Sequence, residues 1–237
     1  MPQEIKCLVV DKDNTLVLPK SGETFVQAPD DQVLIDGVSK ALRQYVDNGW
    51  SISIASNQGG CEIRTCHPNA LPVGAYYLDR DTPLKVEQVA ILHGKVAIYT
   101  NPQPKDIIFL PLDAIARFQY KTIDMAISEM RFAMELTGIQ KGYFCPDMAG
   151  QECYAVGKSA TAEVGEVSPV TRGLYRKPNG GMLQEALFDS CGEYLTAQEI
   201  ASRGIEFLMV GDRQEDLEAA KKAGAKFKYR TQWIDLD

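Results

Sequence analysis

The sequence is poor in long apolar runs, in histidine and in net positive charge, and each shortage narrows what the chain can be. No stretch approaches the roughly 18 consecutive apolar residues of a membrane-spanning helix, so no membrane partner is expected. The opening residues Met1-Pro2-Gln3-Glu4-Ile5-Lys6 run straight into an apolar segment and carry no secretory cleavage pattern. The six cysteines are therefore expected as reduced thiols in a cytoplasmic protein rather than as a disulfide framework. Acidic residues outnumber basic ones by 32 to 25, and a net charge of -7 opposes non-specific nucleic-acid binding over the whole surface. There is no internal repeat, and 45% hydrophobic with 24% charged residues excludes fibrous, coiled-coil and low-complexity chains. At 237 residues, one large domain or a core with an insertion is expected.

The chain instead carries short apolar runs that end in polar clusters. Ile5 to Val10 is rich in branched residues, as a strand buried on both faces requires, and stops at Asp11-Lys12-Asp13-Asn14-Thr15. Ile35, Val38, Leu42, Tyr45 and Val46 recur at helical steps, and Asn48-Gly49 closes that helix. Trp50 to Ala55 reads as a second strand, breaking into Ser56-Asn57-Gln58-Gly59-Gly60. Further helices are expected over Ile123 to Leu136, Gly181 to Phe188, after a capping box of Thr196 and Glu199, and through Leu217 and Ala220. Strands are expected at Gly142 to Cys145, Ile205 to Val210 and Phe227 to Tyr229. Alternation of this kind predicts an α/β fold, a Rossmann-like doubly wound parallel sheet with right-handed crossovers. Residues 61–120 break the alternation with Pro68, Pro72, Pro83, Pro102, Pro104 and Pro111. They are too long for a plain loop and predict an insertion or small accessory subdomain with strands at Val96 to Tyr99 and Ile107 to Leu110. The core would then be 1–60 with 121–237.

Ligands of such sheets bind at the carboxyl ends of the strands. Asp11 and Asp13, Ser56 and Asn57, and Asp212 and Asp216 would converge on that rim. Two carboxylates 4 Å apart repel by roughly 4 kcal/mol at an effective dielectric near 20, a cost that a cation or a shared proton relieves. Asp11, Asp13 and Asp212, with no cluster of histidine or cysteine among them, favour a hard cation such as Mg²⁺. Ser56, the backbone around Asn57-Gln58-Gly59, and Lys177 offer donors for an anion. These parts suit phosphoryl transfer, with Asp11 attacking phosphorus and Asp13 acting as acid, then base.

In this order, Asp11-Lys12-Asp13-Asn14-Thr15-Leu16, Ser56-Asn57-Gln58-Gly59, Arg176-Lys177-Pro178 and Gly211-Asp212 with Asp216 resemble the four motifs of the haloacid dehalogenase (HAD) superfamily. The Ser-Asn-Gln-Gly and Arg-Lys-Pro forms resemble its branch of histidinol-phosphate, heptose-bisphosphate and polynucleotide 3'-phosphatases. The resemblance covers about three-quarters of the chain and omits the insertion. It implies Asp11 as nucleophile, Asp13 as acid/base, and the Asp11 carboxylate, the Asp13 carbonyl and Asp212 as Mg²⁺ ligands. It further implies Ser56 and Lys177 as phosphate clamps, with Thr15 and Asn57 on the phosphate side, Arg176 as a substrate contact and Asp216 as an anchor for metal or lysine. Retention of Asp13 points to phosphate esters rather than carbon–halogen bonds. Asn14 stands at a position more often glycine, where asparagine tolerates left-handed geometry.

Competing readings follow from the same residues. Cys145-Pro146 resembles the start of a zinc loop, but Asp147 occupies the place of a histidine. Zinc on Cys61, Cys66, His67, Cys145 and Cys153 would need a spacing that fits no standard tetrahedral signature, so buried or idle thiols are preferred. His93 reads as a surface or satisfied residue. Gly157-Lys158-Ser159 mimics a nucleotide-binding loop but lacks its earlier glycine and its leading strand. Lys221, Lys222, Lys226, Lys228 and Arg230 read as an exposed face rather than a nucleic-acid stripe. The function expected is Mg²⁺-dependent hydrolysis of a small phosphorylated metabolite. The alternatives are a polynucleotide 3'-phosphatase, a phosphotransferase and a non-catalytic binding protein on the same scaffold. Oligomeric state is not encoded in any of these features.

Overall fold

The structure is a computed structural model that describes residues 4–79, 81–101, 106–157, 163–164 and 174–235. It divides into two compact units, Met1–Gln58 with Ile127–Asp237, and Gly59–Ala126. The second unit is wider at both ends than the 61–120 of the proline pattern. The reason is local: the backbone amides of Tyr120 and Lys121 both donate to the Gly60 carbonyl at 3.0 Å, tying its entry to its exit.

The chain opens with β1 (Lys6–Asp11), buried from Cys7 onward, then a small hairpin of β2 (Val17–Leu18) and β3 (Val33–Leu34), helix α1 (Val38–Asp47) and β4 (Ser51–Asn57). Ile35 falls outside α1, because its amide donates to the Leu16 carbonyl at 3.0 Å and holds it to the hairpin. Asn48 closes α1, its amide returning to the Gln44 carbonyl at 3.2 Å.

The second unit is a six-stranded antiparallel sheet of β5 (Arg64–Cys66), β6 (Tyr76–Tyr77), β7 (Leu84–Leu92), β8 (Lys95–Asn101), β9 (Asp106–Pro111) and β10 (Ala116–Gln119). Its strand order is β5-β10-β6-β7-β8-β9. Leu71, Tyr77, Val86, Val96, Ile98 and Phe118 form its apolar core. The β7–β8 turn is His93-Gly94, with φ of 51° and 76°. A two-residue hairpin loop of this kind needs both residues left-handed, so His93 is exposed for backbone reasons.

The rest of the chain comprises α2 (Ile123–Thr137), β11 (Lys141–Cys145), β12 (Tyr154–Gly157), β13 (Glu163–Val164), α3 (Gly181–Cys191), α4 (Ala197–Ser202), β14 (Glu206–Gly211), α5 (Gln214–Ala223), β15 (Lys226–Tyr229) and α6 (Arg230–Ile234). The Thr196–Glu199 capping box of α4 forms as the spacing predicts. The main sheet has the order β13-β12-β11-β4-β1-β14-β15. From β11 to β15 every pairing is parallel, and β1 lies between β4 and β14, the crevice of a doubly wound sheet. The purely parallel expectation needs one correction, since β12 and β13 extend the β11 edge antiparallel. The Asp147 carboxylate turns the chain back there by accepting from the amides of Gln151 and Glu152 at 2.9 and 3.1 Å.

Met182, Leu183, Ala186 and Leu187 of α3, with Ala219, Ala220 and Ala223 of α5, pack against Val9 and Met209 in the core beneath the sheet. Cys7, Cys145 and Cys153 belong to the same core. Burial pushes the thiols of Cys7 and Cys145 up to about 12. Among the basic run, Lys221, Lys222 and Lys226 are exposed, whereas Lys228 reaches the Tyr45 hydroxyl at 3.4 Å and Arg230 donates to the Asn14 carbonyl. Contrary to the expectation for Gly157-Lys158-Ser159, a strand, β12, does lead into Gly157; Lys158 and Ser159 lie outside the described residues. Among the described residues no helix is long and apolar enough to cross a membrane.

Candidate active site

The parallel register places Asp11 beside Ala55, and Val10 beside Val210, so the ends of β1, β4 and β14 lie level. Asp11, Ser56-Asn57 and Gly211-Asp212 therefore leave the sheet at one rim. Asn14 turns the chain after β1 with φ of 60°, the left-handed conformation expected of it. Lys177 arrives from the segment before α3, and the Asn57 side chain fixes its backbone. Lys177 N–H donates to Asn57 Oδ1 at 3.0 Å, and Asn57 Nδ2 donates to the Lys177 carbonyl at 2.9 Å. Asn57, expected on the phosphate side, thus spends its amide on holding Lys177.

Lys177 is the electrostatic centre of the rim. Its buried Nζ lies 2.5 Å from Asp11 Oδ1, 2.7 Å from Asp216 Oδ1 and 3.0 Å from the Ala55 carbonyl. Burial works against its charge, but Asp11 and Asp216 outweigh burial and raise its pKa. Asp11 Oδ2 accepts from the buried hydroxyl of Thr15 at 3.1 Å. Burial pushes the Asp11 carboxyl up to about 7; the Lys177 ammonium opposes the shift, and Asp216 and Asp13 add to it.

Carboxylate oxygens of Asp11, Asp212 and Asp216 lie within 4.8 Å of one another, and among the described residues this is the one such group able to share a metal ion. Burial raises the Asp212 carboxyl, and its Oδ1 is buried with no hydrogen-bond partner. An orphaned buried oxygen among three carboxylates fits a hard divalent cation, and the donors contain neither thiolate nor imidazole. The Asp13 side chain lies apart from this trio. Its Oδ1 takes a 2.6 Å bond from Lys12 Nζ, and its Oδ2 accepts from Gln58 Nε2 at 3.2 Å and Ser56 Oγ at 3.4 Å. Gln58 Nε2 also donates to Ser56 Oγ at 2.8 Å. Arg176 Nη1 is buried without a partner. At the place of the expected zinc-loop histidine, Asp147 caps its own turn and accepts from Cys145 Sγ at 3.3 Å.

Sequence reasoning singled out neither the side chains of Lys12, Gln58 and Glu129 nor the particular task of Gly211. A Cβ on Gly211 would sit 2.3 Å from Asp216 Oδ2, so only glycine lets the aspartate lie against the strand end. That oxygen also caps α5 through the Arg213 amide at 3.1 Å. Gly211→Ala is expected to displace Asp216 from Lys177 and cost about 1–3 kcal/mol of stability. Urea unfolding of the purified variant measures it, and an unchanged midpoint would contradict this packing.

With this geometry in view, the sequence model of the family described as polynucleotide kinase 3 phosphatase matches residues 6–229, nearly the whole chain. The chain belongs to that family. It is a phosphatase of the HAD superfamily, which sets aside the reading as a non-catalytic binding protein. A D-glycero-D-manno-heptose-1,7-bisphosphate 7-phosphatase of Thermosynechococcus vestitus is 25% identical over 200 residues, covering 84% of this chain and 67% of that one. Among solved structures, D,D-heptose 1,7-bisphosphate phosphatase from B. bronchiseptica, complexed with magnesium and phosphate, aligns with a TM-score of 0.44 and 15% identity. That alignment covers 94% of this phosphatase and 79% of the other chain. A HAD-like phosphatase from Mesorhizobium loti gives a TM-score of 0.47 and 18% identity over 94% of this phosphatase and 71% of its own chain.

Proposed function

We propose that this phosphatase is a Mg²⁺-dependent phosphomonoester hydrolase that works through an aspartyl-phosphate on Asp11. The observation that carries the reading is the group of Asp11, Asp212 and Asp216, whose first and last members are buried on Lys177 while Asp212 Oδ1 is left without a donor. Asp11, Asp212 and the backbone at Asp13 would hold the ion, which when bound would neutralise the carboxylates and the phosphoryl oxygens. The chain's own residues divide the rest. Lys177 and Thr15 fix the two oxygens of Asp11, so the nucleophile is oriented before substrate arrives. An Asp11 oxygen forms the new bond to phosphorus as the bond to the leaving oxygen breaks, and protonated Asp13 gives its proton to that oxygen. Water then attacks phosphorus and passes a proton back to Asp13, releasing phosphate and restoring the Asp11 carboxylate. Ser56 and Lys177 bind the phosphoryl oxygens, and Arg176, with its unpartnered Nη1, contacts the remainder of the substrate.

A small phosphorylated metabolite is the substrate class proposed, on the net charge of -7 and the heptose-bisphosphate activity named for the Thermosynechococcus relative. A second reading, a 3'-phosphorylated nucleic-acid end, is favoured by the description of the family itself. Phosphate release from a panel of sugar phosphates, amino-alcohol phosphates, nucleotides and 3'-phosphorylated oligonucleotides decides between them. Preference for the oligonucleotides would replace the first reading with the second. Release to added alcohol acceptors instead of water would identify a phosphotransferase.

The ion has a signature that does not depend on turnover. At about a hundred times its Kd, Mg²⁺ should stabilise the fold by about 2.7 kcal/mol, seen as a rise in Tm. Asp212→Asn should remove most of that rise without lowering the ion-free Tm, since burial, with Asp216 adding to it, already disfavours the Asp212 charge despite the nearby Arg213. An undiminished Mg²⁺ response in Asp212→Asn would show that the ion binds elsewhere.

A further inference from the structure

Lys12 stands between Asp11 and Asp13, where a lysine would ordinarily extend into water, yet only 1% of its surface is exposed. Its Nζ is 2.6 Å from Asp13 Oδ1 and 3.9 Å from Glu129 Oε2. Glu129, on α2, is equally buried, and its backbone carbonyl accepts from the buried Gln32 Nε2 at 3.0 Å. Taking a lysine and a glutamate out of water is expensive. Here the expense goes toward a carboxylate whose side chain is itself 40% exposed and needs no buried partner for its own solvation. What the arrangement does provide is direction. Oδ1 is held short by a buried ammonium, while Oδ2 makes the longer contacts to Ser56 and Gln58.

We propose that Lys12, backed by Glu129, is the positioning residue for Asp13, and that Oδ2 is the oxygen that gives and takes the proton. The inference rests on the reading of Asp13 as acid/base. A group that acts through Asp13 matters only where the leaving oxygen needs a proton. An alkyl phosphate needs one, whereas 2,4-dinitrophenyl phosphate expels a stable phenolate unaided. The ratio kcat/KM reports every step up to departure of that group.

Lys12→Met is expected to lower kcat/KM for the alkyl phosphate by about 10²-fold, the scale of a misplaced acid, and for the dinitrophenyl ester by less than about threefold. Glu129→Gln, which keeps the shape and leaves Lys12 in place, should show the same selectivity at about tenfold, and it carries the test alone if Lys12→Met yields no folded protein. Equal losses on both esters, or no loss on either, would overturn the assignment. Asp13→Asn run beside them separates the two ideas. If it too lacks selectivity between the esters, the acid/base reading has failed. If it is selective while the Lys12 and Glu129 variants are not, the positioning role alone has failed.

Discussion

Asp11→Asn should lower phosphate release by at least about 10³-fold while leaving the protein folded. The substitution keeps the shape of the side chain and its place beside Thr15 but removes the oxygen charge that attacks phosphorus in the proposed mechanism. Lys177 retains Asp216 as its partner, so no buried ammonium is stranded. The stability effect carries its own sign. Burial raises the Asp11 carboxyl from 3.8 to about 7, so its contribution to wild-type stability is complete below pH 3.8 and is lost as pH rises through about 7. Without divalent cation, Asp11→Asn should therefore gain on wild type from pH 4 to pH 8, measured by urea unfolding at each pH. Loss of activity with Asp11→Asn falling behind wild type in stability as pH rises across that window would contradict the environment assigned to Asp11.

Lys177→Met should fail in the opposite way, losing both activity and fold stability. Methionine fills a similar volume but leaves Asp11 and Asp216 as neighbouring buried carboxylates with no cation. Breaking a buried pair from one side costs about 3–5 kcal/mol, because the remaining charge stays out of water. The two carboxylates can recover part of this by taking up a proton, so the deficit should shrink as pH falls from 8 to 5. Mg²⁺ should restore part of the stability but not the activity. A Lys177→Met variant as stable as wild type at pH 8 would mean that the lysine is not the counterion of this group.

The contrast between these two variants shows how much of the site was legible in the sequence. Asp11, Ser56 and Asp212 could be placed because each follows an apolar run, and parallel strands align their ends whatever the intervening chain does. Lys177 was legible only through its Arg-Lys-Pro setting, and nothing local foretold that Asn57 would clasp its backbone. Lys12 was hidden by composition: a lysine between two aspartates looks like a solvated charge, and its burial depends on Glu129, 117 positions further along the chain. The carboxylate of Asp216 was placed behind the metal site, but the close approach allowed by Gly211 brings it within 4.8 Å of both Asp11 and Asp212.

In the fold, length decided what could be seen. The capping box at Thr196 has a four-residue signature and was visible. Helix α6 spans five residues and ends near the fully buried Trp233, too short for any period to register. In β7, Lys85, Glu87 and Gln88 interrupt the apolar residues and a register shift falls between Val86 and Gln88, so no clean alternation marks the strand. The His93-Gly94 turn was the available signal for its hairpin, but histidine is an uncommon residue in that conformation. The antiparallel strands β12 and β13 follow from the Asp147 turn, whose hydrogen bonds are set by conformation rather than by residue spacing.

The most direct measurement is mass spectrometry of the acid-quenched Asp13→Asn variant after mixing with Mg²⁺ and an aryl phosphate. With the base removed, hydrolysis of the intermediate should slow, and a phosphoryl adduct should accumulate on the peptide that carries Asp11. Release of phosphate in the wild type with no adduct on that peptide in the variant, at any quench time, would contradict covalent capture at Asp11.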